Sequence, residues 1–152
     1  MEKRRPNSAA TADSSYKCGK HIASMRTFAE TKSDWQTTST LWVVVPLCEA
    51  LVLCAEGRHD KAAELLWPLR HDFASIGGSH AQRDLFAHIL CDAAARGGKL
   101  ATARSLLSER VRTRSTRRDN WTAYAGVLDS LGERAAADTA RSNAEAAIDA
   151  AA

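Results

Sequence analysis

The sequence is poor in the residues that interrupt or decorate a fold. Among 152 residues there are three prolines, eight glycines, two methionines and two tyrosines, and aromatic residues make up 6%. So few helix breakers leave long stretches free to run as helix, and the glycine count excludes collagen-like or Gly-rich low-complexity chains. The four cysteines, Cys18, Cys48, Cys54 and Cys91, form no CxxC pair, and Cys48 and Cys54 lie six apart on one helical run, too far along the axis to bridge. They read as small buried hydrophobes in a reducing cytoplasm. No uninterrupted apolar run approaches the roughly 18–20 residues of a membrane span. The longest covers residues 41–48, so no membrane partner is expected. The basic start, residues 1–5, has no apolar stretch behind it, which argues against a secretory signal. There is no HExxH, no GxxxxGK[ST] and no GxSxG. No residue set amounts to a catalytic signature, and no cofactor is expected.

What is present is ordinary globular composition, 45% hydrophobic and 26% charged, with a formal net charge of +3. Its distribution is uneven. Residues 1–39 carry seven Lys/Arg against four Asp/Glu, whereas residues 40–109 carry seven against eight. Residues 110–152 again carry seven against six, and five of those seven are Arg110, Arg112, Arg114, Arg117 and Arg118. That is a local basic patch rather than a nucleic-acid-binding composition.

Residues 1–39 are rich in Ser, Thr, Ala and Lys and lack a sustained apolar period, although Ile22, Met25, Phe28 and Ala29 fall at helical spacing. The expectation is a flexible or weakly structured arm. Residues 40–148 form the expected helical domain, and residues 149–152 a tail. Within that domain apolar stripes recur at helical spacing. The first is Leu47, Ala50, Leu51 and Cys54, with Pro46 expected in the first turn. The second is Ala62, Ala63, Leu65, Leu66, Leu69 and Phe73, with a kink or break expected at Pro68. Ser79 and Gln82 form a capping box that opens a third helix, whose stripe is Leu85, Phe86, Ile89, Leu90 and Ala93. The fourth carries Leu100, Ala103, Leu106, Leu107 and Val111. The fifth is expected to start at Asp119 as N-cap and carries Trp121, Tyr124, Val127, Leu128 and Leu131. The sixth is Ala-rich, from Ala135 to about Ala147, and buries little.

These helices pair, and the pairs repeat. Gly57, Gly98 and Gly132 stand at the turns within the pairs. Five residues after each comes Ala62, Ala103 or Ala137, and nine after come Leu66, Leu107 and then Arg141. A left-handed glycine ends the first helix of each pair. The small Ala admits the second helix closely, and the Leu fills the groove between them. The spacings are 41 and 34 residues. Thirty-four is the tetratricopeptide period, and the excess of seven is about two helical turns, which keeps the stripe in phase. In the third pair Trp121, Tyr124, Ala125 and Leu128 follow the order W-x2-L-G-x2-Y, with Tyr for Leu and Ala for Gly. The expected fold is therefore all-α: a tetratricopeptide-like helical-repeat solenoid of about three helix pairs.

Three stretches carry a resemblance: Val45-Pro46-Leu47-Cys48-Glu49-Ala50-Leu51, Leu65-Leu66-Trp67-Pro68-Leu69-Arg70-His71, and Ile76-Gly77-Gly78-Ser79-His80-Ala81-Gln82-Arg83-Asp84. Together they resemble the C-terminal part of the tetratricopeptide repeat protein 38 family, most specifically over residues 77–84. The resemblance extends over about residues 43–131 and leaves out residues 1–39. It implies a helical-repeat fold and little chemistry.

Three sets of side chains are candidates for contact with a ligand or partner. His80, Asp84, His88 and Cys91 fall within about 80° of one another on a helical wheel, opposite the apolar stripe. They are either a solvated polar face, a partner-contact face, or ligands for a divalent metal. Arg70, Arg83 and Asp84 flank the turn before this helix, as caps and inter-helix pairs or as an anion site at its N-terminus. Arg114, Arg117 and Arg118, with Arg110 and Arg112, form a basic loop suited to an acidic partner or a polyanion, with no aromatic residue interleaved for base stacking. Trp35, Trp42, Trp67 and Trp121 read as packing residues.

The expected function is a non-enzymatic, cytoplasmic interaction scaffold that binds a protein or peptide partner, without a bound metal. The alternative is a fragment of an enzyme or small-ligand protein, with its site on the helix face of His80, Asp84 and His88. The outer face of the first helix has no preceding repeat to cover it and is open to a second copy, as in a homodimer.

Overall fold

The computed structural model describes residues 8–31 and 34–147, with side chains from Tyr16 onward. The expected tail, residues 149–152, and residues 1–7 of the expected arm lie outside the described residues. All regular structure among the described residues is helical. The elements are α1 (Ser8–Glu30), α2 (Trp35–Ser39), a π-helical turn (Thr40–Val44), α3 (Val45–Ala55), α4 (His59–Leu69), a 3-10 turn (Phe73–Ile76), α5 (His80–Arg96), α6 (Leu100–Thr113), α7 (Arg118–Ser130) and α8 (Arg134–Ala146). The chain divides into two compact units, Met1–Ala93 and Ala94–Ala152.

In the first unit α3 packs on α4, and α1 packs on α3 and on the π-helical turn. Val45, Leu47 and Ala50 of α3 are buried, as are Ala62, Ala63 and Leu66 of α4. Where sequence alone leads one to expect a flexible or weakly structured arm, α1 is a helix of 23 residues. Ile22, Met25 and Ala29 supply its inward spacing, and only Ala29 is fully buried, so the apolar period is weak. Arg26 ties α1 to Glu49 of α3 by a salt bridge.

Helix α2, the π-helical turn and α3 form one helical run. Asp34 opens it with a capping box: its carboxylate accepts from Thr37 N at 2.8 Å, while Thr37 Oγ1 accepts from Asp34 N at 3.1 Å. Pro46 lies in the first turn of α3, as expected, but because α3 continues the π-helical turn the proline also falls inside a longer helical run. Proline lacks an N–H and its ring crowds the carbonyl four residues back. The turn before it widens, and Val45 N bonds to Thr40 O, five residues back. The three β-branched residues Val43, Val44 and Val45 are helical here. Trp35–Ala55, 21 residues, is long and apolar enough to cross a membrane, which counting unbroken apolar residues overlooks. Pro68 does not split α4, which runs through it and ends one residue later at Leu69. The 3-10 turn that follows buries Phe73 against Phe86 of α5, with ring centroids 5.8 Å apart.

In the second unit α7 packs on both α6 and α8. Ala125, Leu128, Ala137 and Ala140 form the core between α7 and α8, with Trp121 and Tyr124 packed at its edge. Arg104 of α6 reaches Glu133, at the start of α8, at 3.1 Å.

The three glycine turns have one geometry. Gly57, Gly98 and Gly132 have φ of 77°, 73° and 80°, the left-handed region that a Cβ disfavours. In each, the N–H of the next residue returns to the carbonyl four residues before the glycine. Arg58 bonds Leu53, Lys99 bonds Ala94 and Glu133 bonds Leu128, all at 2.9 Å. This is the Schellman arrangement. The residue after each glycine has nearly the same ψ, 55°, 58° and 60°. Ala62, Ala103 and Ala137, five residues on, are all fully buried. Seven residues before the glycines, Ala50, Cys91 and Ala125 are also buried, so small residues stand at matching positions on both sides of the turn.

Candidate functional site

Helix α5 starts where its capping box places it. Ser79 N donates to Gln82 Oε1 at 2.8 Å, and Gln82 N donates to Ser79 Oγ at 3.3 Å. Arg83 folds back over this start, donating to Gly78 O at 2.8 Å and lying 3.1 Å from His80 Nδ1. Both contacts occupy the guanidinium within its own turn. Arg70 does not reach across either: it lies over the Trp67 ring, 4.1 Å from the centroid, and donates to Trp67 O.

The polar face inferred for this helix is rearranged. Cys91 is buried, whereas Leu85, assigned above to the apolar stripe, is 55% exposed. The buried side instead runs through Leu90, Cys91, Ala93 and Ala94. His80 is exposed at the helix start, while Asp84 and His88 are half-buried along it. No group of three His, Cys, Asp or Glu side chains suited to a metal occurs among the described residues. Of the other thiols, Cys18 is exposed rather than a buried hydrophobe. Burial pushes the Cys48 thiol up, with Cys18 and Glu49 adding to the effect. That keeps Cys48 protonated and a poor nucleophile at neutral pH.

The arginine-rich segment is mostly helical. Helix α6 runs to Thr113 and α7 begins at Arg118, so the connector is only residues 114–117. Arg117, not Asp119, is the N-cap residue of α7. Asp119 accepts from Arg117 Nε at 3.2 Å and Nη2 at 3.1 Å, a two-point pair across the helix start. Arg110 points into the fold: its Nε donates at 3.1 Å to Oδ1 of Asn120, a side chain only 1% exposed. Asn120 Nδ2 has no hydrogen-bond partner among the described residues. Sequence reasoning did not single out Asn120, since a polar residue beside an N-cap reads as exposed.

Trp121 Nε1 donates to Ser115 O at 2.7 Å, so the indole is pinned under the connector. Beside it lies an open cleft of about 270 Å³ lined by Ser115, Thr116, Trp121, Asn143, Ala146 and Ala147. The cleft combines an aromatic wall, two hydroxyls, an amide and two methyl groups. In sequence Arg114 and Arg117 flank its two hydroxyl residues. The lining has room for an apolar side chain beside groups that can hydrogen-bond, and it contains no nucleophile–base pair.

Neither a family model nor a solved structure matches the chain.

Proposed function

We propose that the chain is a tetratricopeptide-like helical-repeat scaffold, without enzymatic activity, that binds a protein segment in the cytoplasm. The single observation behind this reading is the repeated turn. Three glycines of nearly equal φ, each followed five residues later by a fully buried alanine, are the local signature that a plan of repeated helix pairs requires. Stacked helix pairs present grooves rather than closed chemical sites, and their usual ligand is an extended or helical segment of another protein. The sequence stretches that resemble the tetratricopeptide repeat protein 38 family favour the same plan.

The cleft beside Trp121 is the contact point this reading assigns. Its aromatic wall suits an apolar side chain, and the excess positive charge of residues 110–118, although Arg117 is paired with Asp119, favours acidic residues in the same ligand. The test is a peptide array probed with the intact chain, followed by titration of the best binders against Trp121→Ala and the triple Arg114→Ser/Arg117→Ser/Arg118→Ser variant. Peptides pairing an acidic residue with an apolar one should bind, Trp121→Ala should abolish binding, and the triple variant should weaken it and flatten its salt dependence. An array with no binder, or binders indifferent to both variants, would overturn the assignment.

A further inference from the structure

The tryptophans divide into two kinds. Trp121 is pinned and Trp67 is covered by Arg70, but Trp35 is 71% and Trp42 73% exposed. The last two stand seven residues apart on one helical run, one before the π-helical turn and one within it, and both are open to solvent. Packing accounts for neither.

We propose that this face of the first unit docks on an anionic lipid surface. Trp35–Ala55 is long and apolar enough to cross a bilayer, yet its only fully buried apolar residues are Val43, Val45, Leu47 and Ala50. A core helix of this composition would be mostly buried. Glu49 is the only charged residue in the segment, and Arg26 already neutralises it. Tryptophan is the residue that favours the headgroup level, with its ring in the apolar boundary and its N–H toward water. The segment lies on the surface rather than spanning it, because Val45, Leu47 and Ala50 are buried in the first unit, where α3 packs on α4.

Charge separates this occupant from a second copy of the chain. Residues 1–39 hold six Lys/Arg besides the Arg26 that pairs with Glu49, against four Asp/Glu, and precede the exposed face in the chain. A symmetric dimer through that face would bring two such basic segments together, whereas a negatively charged leaflet attracts them.

The test is co-sedimentation of the full-length chain with vesicles of phosphatidylcholine alone and of phosphatidylcholine mixed with phosphatidylserine. Binding should be at least about tenfold stronger to the mixed vesicles and should fall with salt. Trp35→Ser/Trp42→Ser should lower it about tenfold or more, with far-ultraviolet circular dichroism unchanged. In a Trp67→Phe/Trp121→Phe background, where only Trp35 and Trp42 emit, vesicles should shift the emission to the blue, and brominated acyl chains should quench it. Equal sedimentation of wild type and the double Ser variant, or none with either vesicle, overturns the proposal. So does concentration-dependent self-association without lipid binding, lost in the double Ser variant, which would assign the face to a second copy.

Discussion

After Gly57, helix α4 buries Ala62 and then, four residues on, Leu66; after Gly132, helix α8 buries Ala137, Ala140 and Ala144 and leaves Arg141 at the surface where the leucine would stand. The turns before the two helices are the same in φ, in hydrogen bonding and in the conformation of the following residue. The bend and the nature of the interface are therefore separate. Glycine and the alanine five residues later set how the second helix leaves the turn and how near it comes. The side chain at the ninth position sets how much apolar surface is then removed from water. Helix α8 compensates with residues of high helix propensity, and at its exposed surface Arg141 bonds both Asp129 on α7 and Asp138 on its own helix. The Asp129 contact, more than the Asp138 one, raises the Arg141 pKa.

The largest test of this contrast is the ninth position itself. Leu107 occupies it after Gly98 and is 1% exposed. Leu107→Ala should cost about 2–5 kcal/mol in chemical denaturation, the range for a buried leucine, and Leu66→Ala should behave alike. A loss well below that range would mean that the leucines do not fill an interface.

Next in size is the turn. A Cβ built on Gly57, Gly98 or Gly132 meets no atom within 4 Å, so only the backbone conformation resists a side chain there. Gly57→Ala, Gly98→Ala and Gly132→Ala should each cost about 1–2 kcal/mol, nearly equally, since the left-handed region penalises a Cβ by that much. Unequal losses in denaturant melts would separate the three turns despite their shared angles.

Gly126 sharpens the comparison with the opposite sign. It lies within α7 without positive φ, and an added Cβ again meets nothing. Gly126→Ala should stabilise the fold by about 0.5–1 kcal/mol through helix propensity alone. Destabilisation would show that the exposed side of α7 is less open than its surroundings indicate.

The smallest effect belongs to Arg141. Its exposed ion pairs are screened by solvent, so Arg141→Ala should leave the thermal midpoint nearly unchanged. A shift comparable to that of Leu107→Ala would erase the distinction between the pairs.

Much of the local structure was legible. The three glycines, the alanines five residues later and the capping box of Ser79 and Gln82 are short-range signals, and each depends on a backbone angle or on a partner within a few residues. The candidate site was less so. A helical wheel placed Cys91 with His80, Asp84 and His88, but packing put Cys91 inside and Leu85 outside. Five arginines in nine residues suggested a loop, yet α6 extends through Arg110 and Arg112, and Arg110 turns inward to Asn120. Mutual repulsion among the arginines did not prevent helix, because arginine is a good helix former.

The sequence by itself determined where the chain bends and which small residues stand at each bend, because left-handed backbone, caps and helical periodicity are local properties. Tertiary structure alone decided which face of each helix is covered. That is why α1 meets α3 through little more than Ala29, why the helix before Pro46 widens instead of stopping, and why Trp121 is pinned while Trp35 and Trp42 stand in the open. Burial depends on neighbours far away in sequence, and their positions are not encoded in any one segment.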